Sequence, residues 1–230
     1  NIESPITNTQ DWKTLDLFAG IGGVRLGFER AGFKTVFAND FDAQCKLTYD
    51  LNFKNTKLIL EDIKKIGIDD LPDFNFLLAG FPCQAFSIAG YREGFNDKKE
   101  RGNLFFEVAK IIKKRKLKEI AERYRLALMI LFGSQVRKQP HQLHQESDFD
   151  VAYLSKKDLS GKEIIDLDCD LIDVFNSDRV DLTDLRNANP FLRYEIAKNS
   201  QLLYGKEMDY LNFKAFAFKD YINHRSLFEL

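Results

Sequence analysis

Hydrophobic and polar positions along the first half of the chain change repeatedly between strand-like and helix-like spacing. Short apolar runs rich in β-branched and aromatic residues predict strands at 13–20, 35–40, 57–60 and 74–80. Helical periodicity follows in IGGVRLGFERAG, which ends at Gly32, in DAQCKLTYDLNF, with Asp42 as a plausible N-cap, and in NLFFEVAKII. These repeated strand–helix units predict a parallel sheet covered by helices on both faces.

The pattern changes at the basic run KKRKLK, close to residue 114. This run predicts a solvated helix start or a linker, and a charged amphipathic helix follows over 117–125. Further strands are predicted at 126–133, 147–155 and 180–185, and helices in the latter part of 157–175, at 190–201 and at 207–221. The chain is therefore expected to form two domains, 1–113 and 114–230. The strand at 126–133 is expected to begin the second domain, and extension of the first sheet is the alternative.

Composition and charge limit the classes of protein that fit this pattern. With 44% hydrophobic and 13% aromatic residues the chain can bury a core, and its net charge of −1 gives no global basic field, so contact with DNA would need a local patch. The cysteines, Cys45, Cys83 and Cys169, form no CxxC pair, which is typical of a reducing compartment. No apolar run approaches the ~20 residues of a membrane span, and no signal-peptide pattern is present, so we expect a soluble cytoplasmic protein without membrane contact.

A glycine-rich turn and two acidic strand ends indicate a cofactor site in the first half. The turn Ala19-Gly20-Ile21-Gly22-Gly23 joins a strand to a helix, and glycine tolerates the positive φ angles and close backbone approach that a ligand needs there. Asp40 ends the second strand, where an acid can accept hydrogen bonds from ribose hydroxyls, and Asp62 ends the third, within reach of an adenine amino group. Each acid alone is also typical of a solvated strand end, but the three successive features together favour cofactor binding.

Cys83 follows a proline just past the strand in FLLAGFPCQAFS. Its position fits a small core residue, one of several metal ligands, or a nucleophile at the mouth of a site. No cluster of further ligand residues surrounds it in the sequence, which disfavours a metal site.

Five segments of the first half resemble, in order and spacing, the opening motifs of DNA cytosine-5 methyltransferases: DLFAGIGGVRLGFERAGF, ANDFD, EDI, AGFPCQAFSIAG and GFNDKKERGNLFFE. The resemblance covers about residues 12–112. It implies a truncated Rossmann-like sheet of about four parallel strands with helices, and S-adenosylmethionine as cofactor. The implied cofactor-binding residues are Phe18, Gly20, Gly22, Gly23, Asp40, Phe41, Asp62 and Ile63. In this family pattern Asp40 takes the ribose hydroxyls, Phe41 packs on the adenine, and Cys83 adds to C6 of a flipped-out cytosine so that C5 can take the methyl group.

The first half departs from this family in two ways. Lys98-Lys99-Glu100 lengthen a surface loop, which does little harm to the assignment. After Cys83 the sequence contains no Glu-Asn dipeptide, no Gln-x-Arg-x-Arg strand and no recognisable target-recognition domain. Without the glutamate that supports the cytosine ring during attack, the first half by itself is not expected to methylate DNA. Its contact with DNA is expected to be weak, and so is its binding of the cofactor.

In the second half, a Gly-Ser turn after an apolar strand precedes two acids that are separated by one residue. Asp148 and Asp150 point to the same face of a strand, and two carboxylates on one face suit a hard cation such as Mg²⁺. Asp181 on a further strand is a candidate third ligand, and Asp184 is its rival. The Gly-Ser turn supplies backbone and hydroxyl donors for triphosphate oxygens.

This region resembles the minimal nucleotidyltransferases of the polymerase-β superfamily, from LKEIAERYRLALMILFGS to VDLTDLRNANPFLRYEIAKNSQLLYG, over about residues 115–230. The resemblance implies a small α+β domain that binds ATP or another nucleoside triphosphate and Mg²⁺. It also implies a HEPN-type toxin protein as partner and acceptor of AMP. The implied nucleotide-binding residues are Gly133 and Ser134, and the implied metal-binding and catalytic residues are Asp148, Asp150 and Asp181.

The loop at 135–147 is longer than is usual in this family. Its His141 and His144 are expected to be exposed loop side chains, with a metal site as the alternative. Three functions fit the whole chain: a cytosine-5 methyltransferase-family protein whose later motifs are supplied elsewhere or lost, a nucleotidyltransferase that transfers AMP to a partner protein, and a non-catalytic binding module. Both resemblances imply a transferase. If only one activity is present, the nucleotidyltransferase is expected, because its motifs are the more complete.

Overall fold

The computed structural model describes residues 12–80, 103–136 and 148–225. The chain divides into two compact units, Asn1–Ile111 and Ile112–Leu230. Each unit contains a four-stranded sheet of its own, and within the described ranges no strand pairs across the two sheets. The strand at 126–133 therefore does not extend the first sheet, which was the alternative prediction.

The first unit is built on a parallel sheet. Its strands are β1 (Lys13–Leu17), β2 (Lys34–Asp40), β3 (Ile59–Leu60) and β4 (Phe76–Ala79), in the order β3-β2-β1-β4. All three strand pairs are parallel. Helices α1 (Gly23–Arg30) and α2 (Ala43–Asn52) follow β1 and β2. The sheet of about four parallel strands that the sequence predicts is confirmed, although β3 is only 2 residues long.

The core of the first unit lies on both faces of this sheet. Leu15 and Leu17 of the central strand β1 are fully buried in one cluster, whereas Ala38 of β2 packs with Tyr49 of α2 in the other. A strand with parallel neighbours on both sides is covered on both faces, which explains its apolar sequence. Asp42 caps α2 by accepting a hydrogen bond from a backbone N–H of its first turn.

A buried polar network joins β1 to α1 and α2. The hydroxyl of Tyr49 donates to Asp16 Oδ2 at 3.0 Å and accepts from Arg25 Nη1 at 3.0 Å. Arg25 also donates to Glu29 at 2.7 Å, and its guanidinium lies 4.2 Å from the centre of the Phe53 ring. Burial raises the pKa of Asp16 to about 6, while the Tyr49 hydrogen bond and the Arg25 charge oppose the shift.

We expect Asp16→Asn to change the pH dependence of the first unit's stability. Because the folded-state pKa of about 6 lies above the ordinary value of 3.8, the folded unit holds a proton that the unfolded chain releases. The contribution of Asp16 is therefore fully present below about pH 4 and is lost as the pH rises through about 6. Asparagine keeps an oxygen that accepts from Tyr49. The difference in unfolding free energy between the variant and the wild type should therefore shift in favour of the variant by roughly 2–3 kcal/mol as the pH rises from about 4 to 7.5.

Urea unfolding followed by the fluorescence of Trp12, the single tryptophan, measures this difference, since Trp12 packs 5.4 Å from Phe76 in the first unit. Asp50→Asn is a control, because the contribution of Asp50 to stability depends on pH in the opposite direction. A hydrogen bond from the backbone N–H of Leu58 lowers the pKa of Asp50, so its contribution is present above the unfolded-state pKa and is lost in acid. A pH-independent difference between Asp16→Asn and the wild type would contradict the prediction.

A single helix, α3 (Leu104–Arg123), passes through the boundary between the two units. The helix start or linker predicted at KKRKLK is wrong, because the helix is already formed at Leu104 and continues through the basic run. Lysine and arginine are good helix formers, and pairs one turn apart, such as Arg115 and Glu119 at 2.8 Å, offset the crowding of positive charge. The basic run therefore marks a solvated helical face and not a break in the backbone.

The second unit is a mixed sheet. Its strands are β5 (Leu126–Phe132), β6 (Phe149–Ser155), β7 (Val180–Asp184) and β8 (Ser200–Tyr204), in the order β7-β6-β5-β8. β6 and β7 are parallel, whereas β5 is antiparallel to β6 and β8. The helices are α4 (Gly161–Phe175), α5 (Pro190–Lys198) and α6 (Glu207–His224). This architecture confirms the small α+β domain that the sequence predicts.

Strand β8 is absent from the sequence-based prediction. The helix predicted over 190–201 ends at Lys198, and the strand begins at Ser200. β8 occupies the edge of β5 opposite β6, where Tyr204 is the register partner of Met129. The five-residue segment SQLLY has too little alternation to identify a strand by itself, so pairing with β5 decides its conformation.

Two clusters of buried side chains hold helices on the two faces of the second sheet. The C-terminal part of α3 and α4 cover one face through Leu117, Leu167 and Leu171. Helices α5 and α6 cover the other through Ile196 and Phe213. None of the helices in the described ranges combines the length and hydrophobicity that a bilayer-spanning segment requires.

Candidate functional site

Two carboxylates of the second unit lie side by side on neighbouring strands. Asp150 of β6 is the register partner of Asp181 on β7, and its partner on β5 is Phe132. Register partners on adjacent strands project to the same face of a sheet. Asp148 precedes β6 at the same end of the strand. The parallel β6–β7 pair therefore places Asp150 beside Asp181, with Asp148 at the strand entrance.

The turn after β5 closes on Asp150. Gly133 has a φ of 73°, in the left-handed region that favours glycine. A Cβ added at Gly133 would overlap Oδ2 of Asp150 and lie 2.7 Å from its Cγ. The backbone N–H of Ser134 donates a hydrogen bond to the Asp150 carboxylate. Position 133 therefore requires glycine both for its backbone conformation and for the close approach of Asp150.

The carboxylates of this site repel one another. Burial raises the pKa of Asp150, the charges of Asp181 and Asp148 raise it further, and the Ser134 hydrogen bond opposes the shift. A divalent cation would relieve this repulsion, and an all-oxygen donor set suits Mg²⁺. In the described part of the chain, however, no three His, Cys, Asp or Glu side chains stand close enough together to hold a metal ion. Mg²⁺ is commonly held by only one or two protein carboxylates, with water and substrate phosphates supplying its other ligands.

Helix α4 brings a fourth carboxylate towards this site. Burial raises the pKa of Asp168, and the charge of Asp181 raises it further. Asp168 could not be singled out from the sequence, because the segment DLDCDLID contains several acids and only the packing of α4 on the sheet shows which of them approaches Asp181. Its neighbour Leu167 is fully buried in the core and fixes this helical phase.

Asp184, the rival third ligand, is engaged in the turn after β7. Its carboxylate oxygens accept hydrogen bonds from the backbone N–H of Arg186 at 2.9 Å and from Asn187 Nδ2 at 2.8 Å. Its register partner on β6 is Tyr153. Because side chains alternate along a strand, Asp184 and Asp181 point to opposite faces of β7. Asp181 is therefore the acid of β7 that lies beside Asp150.

The predicted cofactor residues of the first unit lie at the carboxyl edge of the parallel sheet. Asp40 accepts hydrogen bonds from the backbone N–H of Gly20 at 2.8 Å and of Asp42 at 2.9 Å, one to each carboxylate oxygen. The buried carboxylate thus holds the loops after β1 and β2 together. A ribose would have to use the lone pair that remains on each oxygen.

The other residues of this predicted cofactor site differ in exposure. Phe41 is 70% exposed and offers a large aromatic surface next to Asp40, whereas Ile63 is buried in the core. Asp62 caps the short turn that follows β3 by accepting a hydrogen bond from the N–H of Lys64 at 3.0 Å. Phe41 is therefore open to solvent beside Asp40, whereas Ile63 packs in the core.

The loop between β1 and α1 has the strained backbone that its glycines predict. Phe18 and Gly20 both have a φ of 55°, and Gly22 has a φ of 89° at the N-terminus of α1, where Gly23 is the first helical residue. A Cβ at Gly22 would lie 2.8 Å from Cζ of Phe53 and would also overlap that ring at Cε2. Gly22 therefore allows the loop to pass directly over the aromatic side chains of the core.

Several residues singled out in the sequence lie outside the described ranges: Cys83, Lys98-Lys99-Glu100, His141 and His144. Strand β4 ends at Ala79, and the N–H of Gly80 donates to the carbonyl of Leu17 at 3.2 Å. The role of Cys83 as a nucleophile thus remains a prediction from the sequence.

A cavity of about 670 Å³ lies at the other end of the second sheet from the carboxylates. Its apolar lining includes Leu128, Leu154, Phe213 and Phe216. Strand β5 leads from Leu128 at this cavity to Phe132 beside Asp150. The cavity is therefore not part of the carboxylate site.

The two halves match two families. Residues 12–120 match the family model of C-5 cytosine-specific DNA methylases, and residues 115–209 match that of polymerase β nucleotidyltransferases. The type II methyltransferase M.Bsp6I of Bacillus sp. (strain RFL6) is 57% identical over 97 residues, which are 42% of this chain and 30% of that protein. M.HaeII of Haemophilus aegyptius is 50% identical over 109 residues, which are 47% of this chain and 33% of that protein. The chain thus spans about a third of the length of these curated relatives.

Two solved structures resemble about half of the chain. A toxin–antitoxin complex with AMP-PNP has a TM-score of 0.43 and 24% identity, covering 50% of this chain and 95% of that chain. The tri-AMPylated Shewanella oneidensis HEPN toxin in complex with MNT antitoxin has a TM-score of 0.40 and 22% identity, covering 51% of this chain and 94% of that chain. The assignment of the second half rests on the family match and on the position of its carboxylates.

The chain therefore combines a segment similar to the C-5 cytosine-specific DNA methylases with a segment similar to the polymerase β nucleotidyltransferases. These two matches confirm the resemblances stated from the sequence, and both families are transferases. The first family uses S-adenosylmethionine and the second a nucleoside triphosphate with a metal ion.

Proposed function

We propose that the second half catalyses Mg²⁺-dependent nucleotidyl transfer from ATP or another nucleoside triphosphate. The observation that carries the proposal is the register pairing of Asp150 with Asp181, onto which the Gly133–Ser134 turn closes. A glycine turn after one strand and acids on the next two strands are the elements that nucleotidyl transfer requires, namely room for phosphates and carboxylates for a cation.

Each residue has a distinct part in this proposal. Asp148, Asp150 and Asp181 would hold Mg²⁺, which neutralises charge on the triphosphate. Ser134 orients Asp150 through its backbone N–H and keeps an exposed hydroxyl that can donate to a phosphate oxygen. Gly133 leaves the space that Asp150 occupies. An acceptor hydroxyl attacks the α-phosphorus, a new P–O bond to the acceptor forms, the bond to the bridging oxygen breaks, and pyrophosphate leaves while the hydroxyl proton passes to solvent.

The proposed acceptor is a protein of the HEPN toxin type, as the sequence resemblance implies. The test incubates the full chain, a purified HEPN-domain protein and Mg²⁺ with ATP labelled at the α-phosphate. Label on protein that is lost with EDTA and in Asp150→Asn supports the proposal, whereas equal labelling by wild type and Asp150→Asn contradicts it. Calorimetric titration with ATP and Mg²⁺ separates loss of the nucleotide site from a wrong acceptor, because binding needs no acceptor.

We also propose that the first half binds S-adenosylmethionine, because exposed Phe41 and the Gly20–Asp40 contact lie together at the carboxyl edge of a parallel sheet. Equilibrium titration with the cofactor should show binding that weakens about tenfold in Phe41→Ala, since stacking on a ring contributes about 1 kcal/mol or more. Equal affinity of the two proteins would contradict this placement. Binding and methylation of DNA are not proposed for these residues alone, because they match about a third of each curated methyltransferase.

A further inference from the structure

Helix α6 has two apolar faces, of which only one is covered. Tyr210, Phe213 and Ala217 are buried against the second sheet and α5. On the other side of the helix, five apolar residues are exposed. We call these residues the α6 stripe: Met208, Leu211, Ala215, Phe218 and Ile222.

The spacing of the α6 stripe matches a coiled-coil seam. Its members follow one another at alternating intervals of three and four residues, which is the a/d pattern of a heptad repeat. Met208 is 65% exposed, Leu211 50%, Phe218 43% and Ile222 63%. Isolated exposed apolar residues are ordinary on protein surfaces, but a continuous seam along a helix of 18 residues is the surface on which a second helix packs.

The α6 stripe is held on a rigid support. Phe218 makes an edge contact with Tyr194 of α5, with ring centres 5.0 Å apart. Asp220, on the same helix, accepts a hydrogen bond from Arg193 of α5 at 2.7 Å, and both side chains are mostly buried. A partner would therefore meet a preformed surface, so that little conformational entropy is lost on this side of the interface.

The charges beside the α6 stripe disfavour parallel pairing with a second copy. Lys214 and Lys219 occupy the g and e positions that flank a heptad seam, where charge selects the partner. Parallel pairing of two copies would set Lys214 against Lys219 of the other helix. Antiparallel pairing that sets Ala215 against Leu211 of the other helix would place the two Lys214 side chains opposite each other. A helix with glutamate or aspartate at its flanking positions would instead pair favourably with both lysines.

We propose that the α6 stripe is the docking surface for an amphipathic helix of another protein, with apolar a and d positions and acidic flanks. This interface is independent of nucleotidyl transfer, since none of its residues belongs to the carboxylate site. A surface of this kind gives the chain a specific protein partner even where neither half turns over a substrate.

A synthetic peptide of about three heptads tests this proposal, with leucine at a and d and glutamate at e and g; repulsion between glutamates limits its self-association. Fluorescence anisotropy with the full chain should show binding that is at least about tenfold tighter than that of the same peptide with lysine flanks. The double variant Lys214→Glu, Lys219→Glu should reverse this preference. Leu211→Glu should abolish binding, whereas Ile165→Glu, at an exposed apolar position on α4, should leave it unchanged.

Four outcomes would overturn the proposal. The first is equal binding of both peptides, and the second is equal loss in Leu211→Glu and Ile165→Glu. The third is concentration-dependent dimerisation of the chain that Leu211→Glu abolishes, which would make a second copy the occupant. The fourth is binding to phosphatidylglycerol vesicles that Leu211→Glu abolishes, which would make the stripe a membrane-contacting face. Circular dichroism and ATP titration of each variant confirm that the second unit is folded, so that loss of peptide binding is not caused by unfolding.

Discussion

Asp181→Asn is expected to reduce nucleotidyl transfer at least about a hundredfold, because it removes a charge beside Asp150 that a cation on this face of the sheet would require. Asp184→Asn should leave the rate within about threefold of wild type, since Asp184 points to the other face of β7 and binds the turn that follows it. The two substitutions are chemically identical and lie on one strand. Initial rates of label transfer from ATP compare them directly.

The same two variants should differ in stability in the opposite order: Asp184→Asn is expected to be the less stable and Asp181→Asn the less active. Asp184→Asn weakens two hydrogen bonds of a turn and should cost about 1 kcal/mol of unfolding free energy. Asp181→Asn relieves repulsion with Asp150 and should not destabilise the unit. A larger loss of activity in Asp184→Asn than in Asp181→Asn would show that the wrong acid of β7 has been placed in the site.

Gly133→Ala is expected to lower nucleotidyl transfer by about a hundredfold or more, although it adds only one methyl group. The new Cβ would overlap the Asp150 carboxylate, so Asp150 must leave the position in which Ser134 donates to it. Misplacement of a catalytic group by about 1 Å can cost that much in rate. The positive φ of 73° adds a backbone cost of roughly 1–2 kcal/mol for alanine.

Gly161→Ala is the matched control for this prediction. Gly161 is the first residue of α4, and a Cβ there meets no atom within 4 Å. Alanine should therefore raise stability by up to about 1 kcal/mol and leave the transfer rate unchanged. Full activity of Gly133→Ala, with Asp150→Asn inactive, would mean that the turn does not need to approach Asp150 for the reaction.

Patterns of local sequence predicted most elements of both units. The apolar runs before Gly20 and Gly80 are β1 and β4, and Asp42 caps α2, because burial in a parallel sheet and capping of a helix both act on residues close in the chain. The motif residues Gly133, Asp148 and Asp150 were likewise recognisable, since their spacing places them at the ends of adjacent strands.

Predictions from local sequence were wrong or incomplete for segments whose conformation depends on residues far away in the chain. The basic run in α3 was interpreted as a boundary because a run of positive charges is by itself unfavourable in a helix. In the helix, Arg115 pairs with Glu119 one turn away, which offsets this charge. Strand β8 was not predicted, because its own sequence does not favour a strand and pairing with β5 gives it this conformation. The Asp40 carboxylate was expected to face a ligand, yet it also joins two loops, which only the packing of β1 against β2 brings together.

Short local motifs, a glycine turn and acidic strand ends in each half, were enough to predict two segments that resemble different transferase families, because such motifs lie within a few residues of one another in the chain. Strand register shows why Asp181, which the family pattern already favoured, and not Asp184 lies beside Asp150. Only the folded structure shows that Asp168 lies within electrostatic range of Asp181 and that one apolar face of α6 is left uncovered. The physical reason is the same in all three cases. Strand register and helix packing are set by contacts between residues far apart in the chain, and those contacts choose which of several similar side chains meet.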